Sequence, residues 1–117
     1  LGLYVRSRWE ANIARIFKLL GWQFQYESIS LATPVGHYRP DFLVHGKLIE
    51  VKGFMTPLAM RKIQTARQLG YRVQVIDLPF YLRLGRRYAH LIPQWEYQAY
   101  GKQAQTHTKD VHQFPLF

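Results

Sequence analysis

Two β-rich runs, Asp41–Val44 and Leu48–Val51, stand only three residues apart, with His45-Gly46-Lys47 between them. A connection that short, with glycine in it, is the signal for a tight antiparallel hairpin. If His45-Gly46 is a two-residue loop, Val44 pairs with Lys47 and Asp41 falls opposite Glu50. Directly opposed residues project from the same sheet face, with Cβ atoms roughly 4.5–5.5 Å apart. Side chains two apart on a strand also share a face, so Lys52 joins Glu50. The hairpin is expected to gather two acids and an ammonium on one face.

Such a face is costly without compensation, because opposed like charges destabilise a sheet and a low-dielectric setting worsens the repulsion. A divalent cation held by both carboxylates would relieve it and would find the hard oxygen ligands that Mg²⁺ prefers. The alternative is a surface ion pair between Glu50 and Lys52, with Asp41 ending a turn or strand.

The chain has 117 residues, enough for one domain with a modest core. Its 48% hydrophobic and 15% aromatic content argues for a globular fold over disorder. Sixteen Lys and Arg against seven Asp and Glu give +9 at pH 7, a balance that favours a polyanionic partner, with nucleic acid ahead of a membrane surface. With only seven acids in the chain, two of them in the hairpin weigh heavily. The absence of cysteine excludes a disulfide framework, a thiolate metal site and a cysteine nucleophile. No apolar run approaches the ~18 residues of a membrane span, so no membrane partner and a cytoplasmic location are expected.

The rest of the chain frames the hairpin. Arg6–Leu20 is helical in pattern, with Trp9, Ile13, Ile16, Phe17 and Leu20 on one stripe and Gly21 as the stop. Ser7 and Glu10 match a capping box. Glu10 is seven residues before Phe17, hence about 20° from it on the wheel and at the border of the buried stripe. Two roles stand open for Glu10: helix cap or partner of Arg6, and a third carboxylate leaning towards the hairpin acids. Trp22–Leu31 alternates apolar and polar residues as a first strand, and Thr33–Gly36 is a loop. Glu27 lies in this stretch with its phase open.

Thr56-Pro57 opens a second helix reaching about Leu69 and Gly70, with Ala59, Ile63, Ala66 and Leu69 inward and Arg61, Lys62, Gln64 and Gln68 outward. Tyr71–Asp77 is a fourth strand, parallel to the third after the crossover. Pro79–Ile92 reads as a last helix, weakened by Gly85 and ended by Pro93. These parts make residues 1–97 one domain. From 98 to 117 the chain is polar and aperiodic, a flexible tail ending in Phe114-Pro115-Leu116-Phe117.

RSRWE at Arg6–Glu10, RPDF at Arg39–Phe42 and IEVKG at Ile49–Gly53 together resemble the PD-(D/E)xK nuclease superfamily. Within it the segment looks most like phage endonuclease I and archaeal-type Holliday-junction resolvases. The resemblance spans residues 4 to about 77. It implies an α/β, restriction-endonuclease-like αβββαβ core, with a mixed central sheet flanked by helices. It also implies that Asp41 and Glu50 bind Mg²⁺ or Mn²⁺, that Lys52 orients or activates the attacking water, and that Glu10 completes the metal shell. The chain lacks the Ser-rich loop of archaeal resolvases before Asp41, and its C-terminal part differs from phage endonuclease I.

The implied activity is metal-dependent hydrolysis of DNA phosphodiesters, selective for branched DNA, in a bacterial or phage-infected cell. Arg6, Arg8, Arg39, Arg61, Lys62 and Arg67 would neutralise phosphates around the site, and binding would weaken steeply with salt. Resolving a junction takes two symmetric cuts, so a C2 homodimer is expected, with an apolar helix and strand after Asp77 as interface material. The terminal QFPLF, Gln113–Phe117, resembles the short peptide by which many bacterial replication and repair proteins bind the β sliding clamp. Gln113, Leu116 and Phe117 match its anchors; a tail packed on its own domain or on a dimer partner is the alternative. Competing functions are a restriction-, mismatch- or transposition-type endonuclease and a non-catalytic nucleic-acid-binding module.

Overall fold

The computed structural model describes residues 7–97. Arg6, the tail from residue 98 and the peptide anchors Gln113, Leu116 and Phe117 lie outside the described residues. In chain order the elements are α1 (Arg8–Leu19), β1 (Gln25–Tyr26), β2 (Leu31–Thr33), β3 (Gly36–Tyr38), β4 (Phe42–Val44), β5 (Lys47–Val51), α2 (Pro57–Gln68), β6 (Val73–Ile76) and α3 (Leu78–Tyr88), followed by a 3-10 turn at Ala89–Leu91. This is an α/β chain. It divides into two compact units: Trp22–Asp77, and Leu1–Gly21 together with Leu78–Phe117.

The unit Trp22–Asp77 is built on a sheet of order β1-β4-β5-β6. β1 and β5 each pair antiparallel with β4, while β6 runs parallel to β5, as the crossover through α2 requires. The sheet is therefore mixed. At the hairpin, Val44 pairs with Lys47. Its two loop residues both have positive φ, 52° for His45 and 71° for Gly46, the signature of a type I′ turn. That turn fixes the expected register as far as Phe42, which faces Ile49. The pairing ends there, and the Asp41 N–H also bonds the Ile49 carbonyl, so the expected opposition of Asp41 and Glu50 is not part of the ladder.

The first strand differs from expectation. Trp22, Phe24 and Tyr26 are half-buried between exposed Gln23 and Gln25, so the alternation holds, but only Gln25–Tyr26 pairs in the sheet. Glu27 takes a left-handed conformation, φ 50°, and turns the chain off the strand direction. Leu31–Thr33 then leaves this sheet altogether and pairs antiparallel with Gly36–Tyr38 as a separate hairpin. Thr33–Gly36, expected as a plain loop, is the turn of that hairpin. The Thr33 hydroxyl donates to the Gly36 carbonyl and accepts from the Val35 N–H at 3.3 Å.

α2 starts where Thr56-Pro57 places it. The Thr56 hydroxyl accepts the Ala59 N–H at 3.1 Å, a cap worth about 1 kcal/mol. Its buried residues Ile63 and Ala66 form a cluster with Tyr38 of β3, and Leu31, Met55, Val73 and Val75 pack against it. Two outlying positions depart from the expected faces. Leu69 is 61% exposed, because α2 has ended at Gln68 and the chain turns away through Gly70 at φ 100°. Lys62 is half-buried, its alkyl chain running past Gly36, where a Cβ would meet Lys62 Cε at 3.4 Å.

In the other unit, α1 is capped as expected: the Ser7 hydroxyl accepts the Glu10 N–H at 3.1 Å. Ile13, Ile16 and Phe17 are fully buried, and Gly21, φ 74°, follows the helix end in the left-handed conformation that suits glycine. α3 runs through Gly85, which is buried within the helix and does not interrupt it. Ile92 is extended before Pro93, as the residue preceding proline must be. Among the described residues no strand follows Asp77, and no helix is long and apolar enough to cross a membrane.

Candidate functional site

Asp41 stands where three strands meet. Its N–H donates to the Ile49 carbonyl of β5 at 3.1 Å, and its carbonyl accepts the Glu27 N–H, just past β1, at 2.9 Å. Its carboxylate Oδ2 accepts the Val51 N–H at 2.7 Å, which fixes the side chain against the end of β5. Asp41 is 1% exposed, a buried carboxylate held by the backbone at the end of β4. The strand-end position is that of the alternative reading, but the burial is not that of an exposed sheet face.

Glu50 interrupts an otherwise apolar buried run on β5 and is itself 7% exposed. Its Oε1 accepts the Tyr38 hydroxyl at 3.0 Å, and its Oε2 lies 3.9 Å from Lys52 Nζ. The strand period has therefore put Lys52 on the side of Glu50, as expected. A separation of 3.9 Å with a partly exposed ammonium makes this a loose pair, and Lys52 keeps donors for another anion. Burial first, then the Glu50 charge and its hydrogen bond, push the Tyr38 phenol far above its usual value of 10. Tyr38 thus remains a protonated donor that holds Glu50 in one rotamer. Asp41 raises it further and Arg67 works the other way, which puts both charges in the field of Tyr38.

Glu27 was the least determined acid in the sequence, and it belongs beside Asp41. Continuing the Gln25–Leu43 and Tyr26–Phe42 pairs by one places Glu27 opposite Asp41. A Glu27 carboxylate oxygen lies within 4.8 Å of one on Asp41. The pairing of Tyr26 with Phe42 is what gives the residue after Tyr26 the phase of the residue before Phe42, and the residue pattern alone did not reveal it. Tyr38 carried no signal either, since it reaches Glu50 from a hairpin that the residue pattern did not reveal.

Glu27 and Asp41 offer hard oxygen donors close enough to share a divalent cation, which is the chemistry of Mg²⁺ and Mn²⁺ sites; Glu50 does not belong to that close group of oxygens. No family model, no characterised protein and no solved structure matched the chain in comparison. What the site can do rests on its own geometry.

The other expected site residues fall as follows. Glu10 is in the first turn of α1 and 6% exposed. Arg8 is exposed on the same helix, in the unit that does not contain the sheet. Arg39 and Arg61 are exposed in the sheet unit, Arg39 two residues before Asp41 and Arg61 on α2. Arg67 is tied down, its Nη2 donating to the Val73 carbonyl at 2.9 Å. Lys62 lies along the β2–β3 turn. Arg39 and Arg61 are thus the fully exposed cations of this set in the sheet unit that are not committed to such a contact.

Proposed function

We propose that the chain is a metal-dependent DNA endonuclease of the PD-(D/E)xK type, with a restriction-endonuclease-like core, acting on branched DNA. The observation that carries this reading is the pair of buried carboxylates, Asp41 just before β4 and Glu50 on the adjoining β5, with Lys52 Nζ 3.9 Å from Glu50. Asp41 and Glu27 bring two carboxylates within 4.8 Å of each other, and a positively charged ligand would offset their repulsion.

Mg²⁺ or Mn²⁺ held by Asp41 and Glu50, with Glu10 as the carboxylate added by the family resemblance, would supply a water of lowered pKa and polarise the scissile phosphate. The chain's own residues do the rest. The Val51 N–H and the Tyr38 hydroxyl hold the two carboxylates in place, so no rotamer search precedes binding. The Lys52 ammonium neutralises charge on the attacked phosphate and can hydrogen-bond the attacking water. Arg39 and Arg61, with Arg6, Arg8, Lys62 and Arg67, lower the cost of bringing a polyanion to the site. Two copies related by a twofold axis would deliver the paired cuts of junction resolution. The peptide Gln113–Phe117 would dock the enzyme on a β sliding clamp.

One cleavage panel tests the reading: four-way junction, Y-fork, mismatch, linear duplex and RNA, each with Mg²⁺ and with EDTA. Mg²⁺-dependent nicking of the junction by the wild type is expected. Asp41→Asn is expected to bind the same DNA and leave it intact. Failure to cut any substrate in Mg²⁺ or Mn²⁺, or cutting by Asp41→Asn at the wild-type rate, overturns it.

A further inference from the structure

The loop that leaves β5 holds an aromatic ring in solvent. Phe54 is 78% exposed, the most exposed of the large hydrophobic side chains among the described residues. It does not sit on a loose segment. On one side the Lys52 N–H donates to the Ile76 carbonyl at 3.0 Å; on the other Thr56 caps α2, and Met55 packs on the Tyr38, Ile63 and Ala66 cluster. The chain half-buries Met55 and presents Phe54, with only Gly53 between Phe54 and Lys52. Leu58, 45% exposed, follows on the first turn of α2, with exposed Arg61 three residues further on.

We infer that Phe54 stacks on an unpaired or unstacked base beside the phosphate that Lys52 meets, and so makes the site selective for interrupted DNA over perfect duplex. This rests on the nuclease reading above and names the substrate feature it recognises. Two residues of chain span at most about 7 Å, so the ring lies within a few nucleotide steps of that phosphate along one strand. In a perfect duplex every base face is covered by its neighbours, and a ring has nothing to stack on. At a branch, bulge or gap a base face is open, and aromatic stacking there is tolerant of sequence. The charge of +9 supplies the backbone attraction, which by itself does not distinguish the two kinds of DNA.

The test is binding in EDTA, by fluorescence anisotropy, of a perfect duplex and of the same duplex with a three-nucleotide bulge, for wild type, Phe54→Ala and Phe54→Trp. The wild type is expected to prefer the bulged DNA. Phe54→Ala should lose about tenfold on the bulged DNA and stay within about twofold on the perfect duplex, and Phe54→Trp should keep the preference. Equal effects of Phe54→Ala on both DNAs, or none on either, overturn the inference. So does a change in sedimentation from dimer to monomer with the ratio of affinities unchanged, which would assign the ring to a protein contact. These outcomes are read without cleavage, so a protein that binds with this preference but cuts nothing would sink the nuclease reading and leave the stacking role standing.

Discussion

Each unit of this molecule buries a carboxylate, Glu10 in one and Asp41 and Glu50 in the other, but Asn12 and Asp41, the most deeply buried polar residue of each, differ in kind. In the unit carrying α1 and α3, fully buried Asn12 is neutral and saturated. Its Nδ2 donates to Tyr81 Oη at 2.8 Å and to the Glu96 carbonyl at 2.9 Å; its Oδ1 accepts from the Glu96 N–H at 2.9 Å and from Arg15 Nη1 at 3.1 Å. Trp9 stacks on Tyr81 at 4.3 Å, and Arg15 closes the set through Glu96 at 2.8 Å. In the sheet unit, the buried groups are carboxylates, and a second acid lies within 4.8 Å of one of them. A neutral side chain with every donor and acceptor bonded, as Asn12 is, fastens a chain. Carboxylates brought this close repel each other, and the proposed metal would offset that repulsion.

The comparison breaks first at Asn12. Asn12→Leu removes all four bonds and strands the Tyr81 and Glu96 groups, so urea unfolding should show a loss of about 3 kcal/mol. A loss under ~1 kcal/mol would mean that the network fastens nothing. Next comes Tyr38→Phe, which frees Glu50 Oε1 without opening a cavity. Mn²⁺ affinity by calorimetry should fall about tenfold, the usual effect of removing a hydrogen bond to a metal-binding carboxylate. Unchanged affinity would take Glu50 out of the metal shell.

Glu27→Gln sharpens the contrast from the other side. Relieving Asp41 of a neighbouring charge should raise stability by about 1 kcal/mol without metal, seen as a thermal midpoint a few degrees higher. A lower midpoint would mean that Glu27 is structural, like Asn12.

The smallest effect is on pH. Burial pushes the Tyr81 phenol up to about 12 from 10, while its hydrogen bond to Asn12 lowers it. The folded state therefore holds this proton after the unfolded chain has lost it, and the associated stability is complete below pH 10 and lost as pH rises towards 12. Tyr81→Phe should flatten that fall in an alkaline titration of the thermal midpoint; an unaltered slope would assign the fall to other tyrosines.

The parts of this fold that were legible in the residues are those set by local chemistry. A two-residue loop at His45-Gly46 determined the register of β4 and β5 from Val44–Lys47 to Phe42–Ile49, and the Ser7 and Thr56 caps located two helix starts. The parallel placement of β6 followed from the length of the crossover. What was hidden depended on groups far apart in the chain. Asn12 looks out of place in an apolar stripe until Glu96, 84 residues on, supplies its partners. The three-residue strands β2 and β3 are too short to show a period, so Tyr38 gave no sign of reaching Glu50. Glu27 was hidden by one left-handed residue, which ends the visible strand and yet keeps the acid at Asp41.

The central claim is that the buried acids of the sheet unit perform phosphodiester chemistry. Its most direct test is the rate of four-way-junction cleavage in Mg²⁺ by the wild type and by Glu50→Gln at equal DNA occupancy. The account predicts metal-dependent cutting by the wild type and a fall of at least ~10²–10³-fold for Glu50→Gln, with DNA affinity retained. Cleavage by Glu50→Gln at the wild-type rate would contradict it.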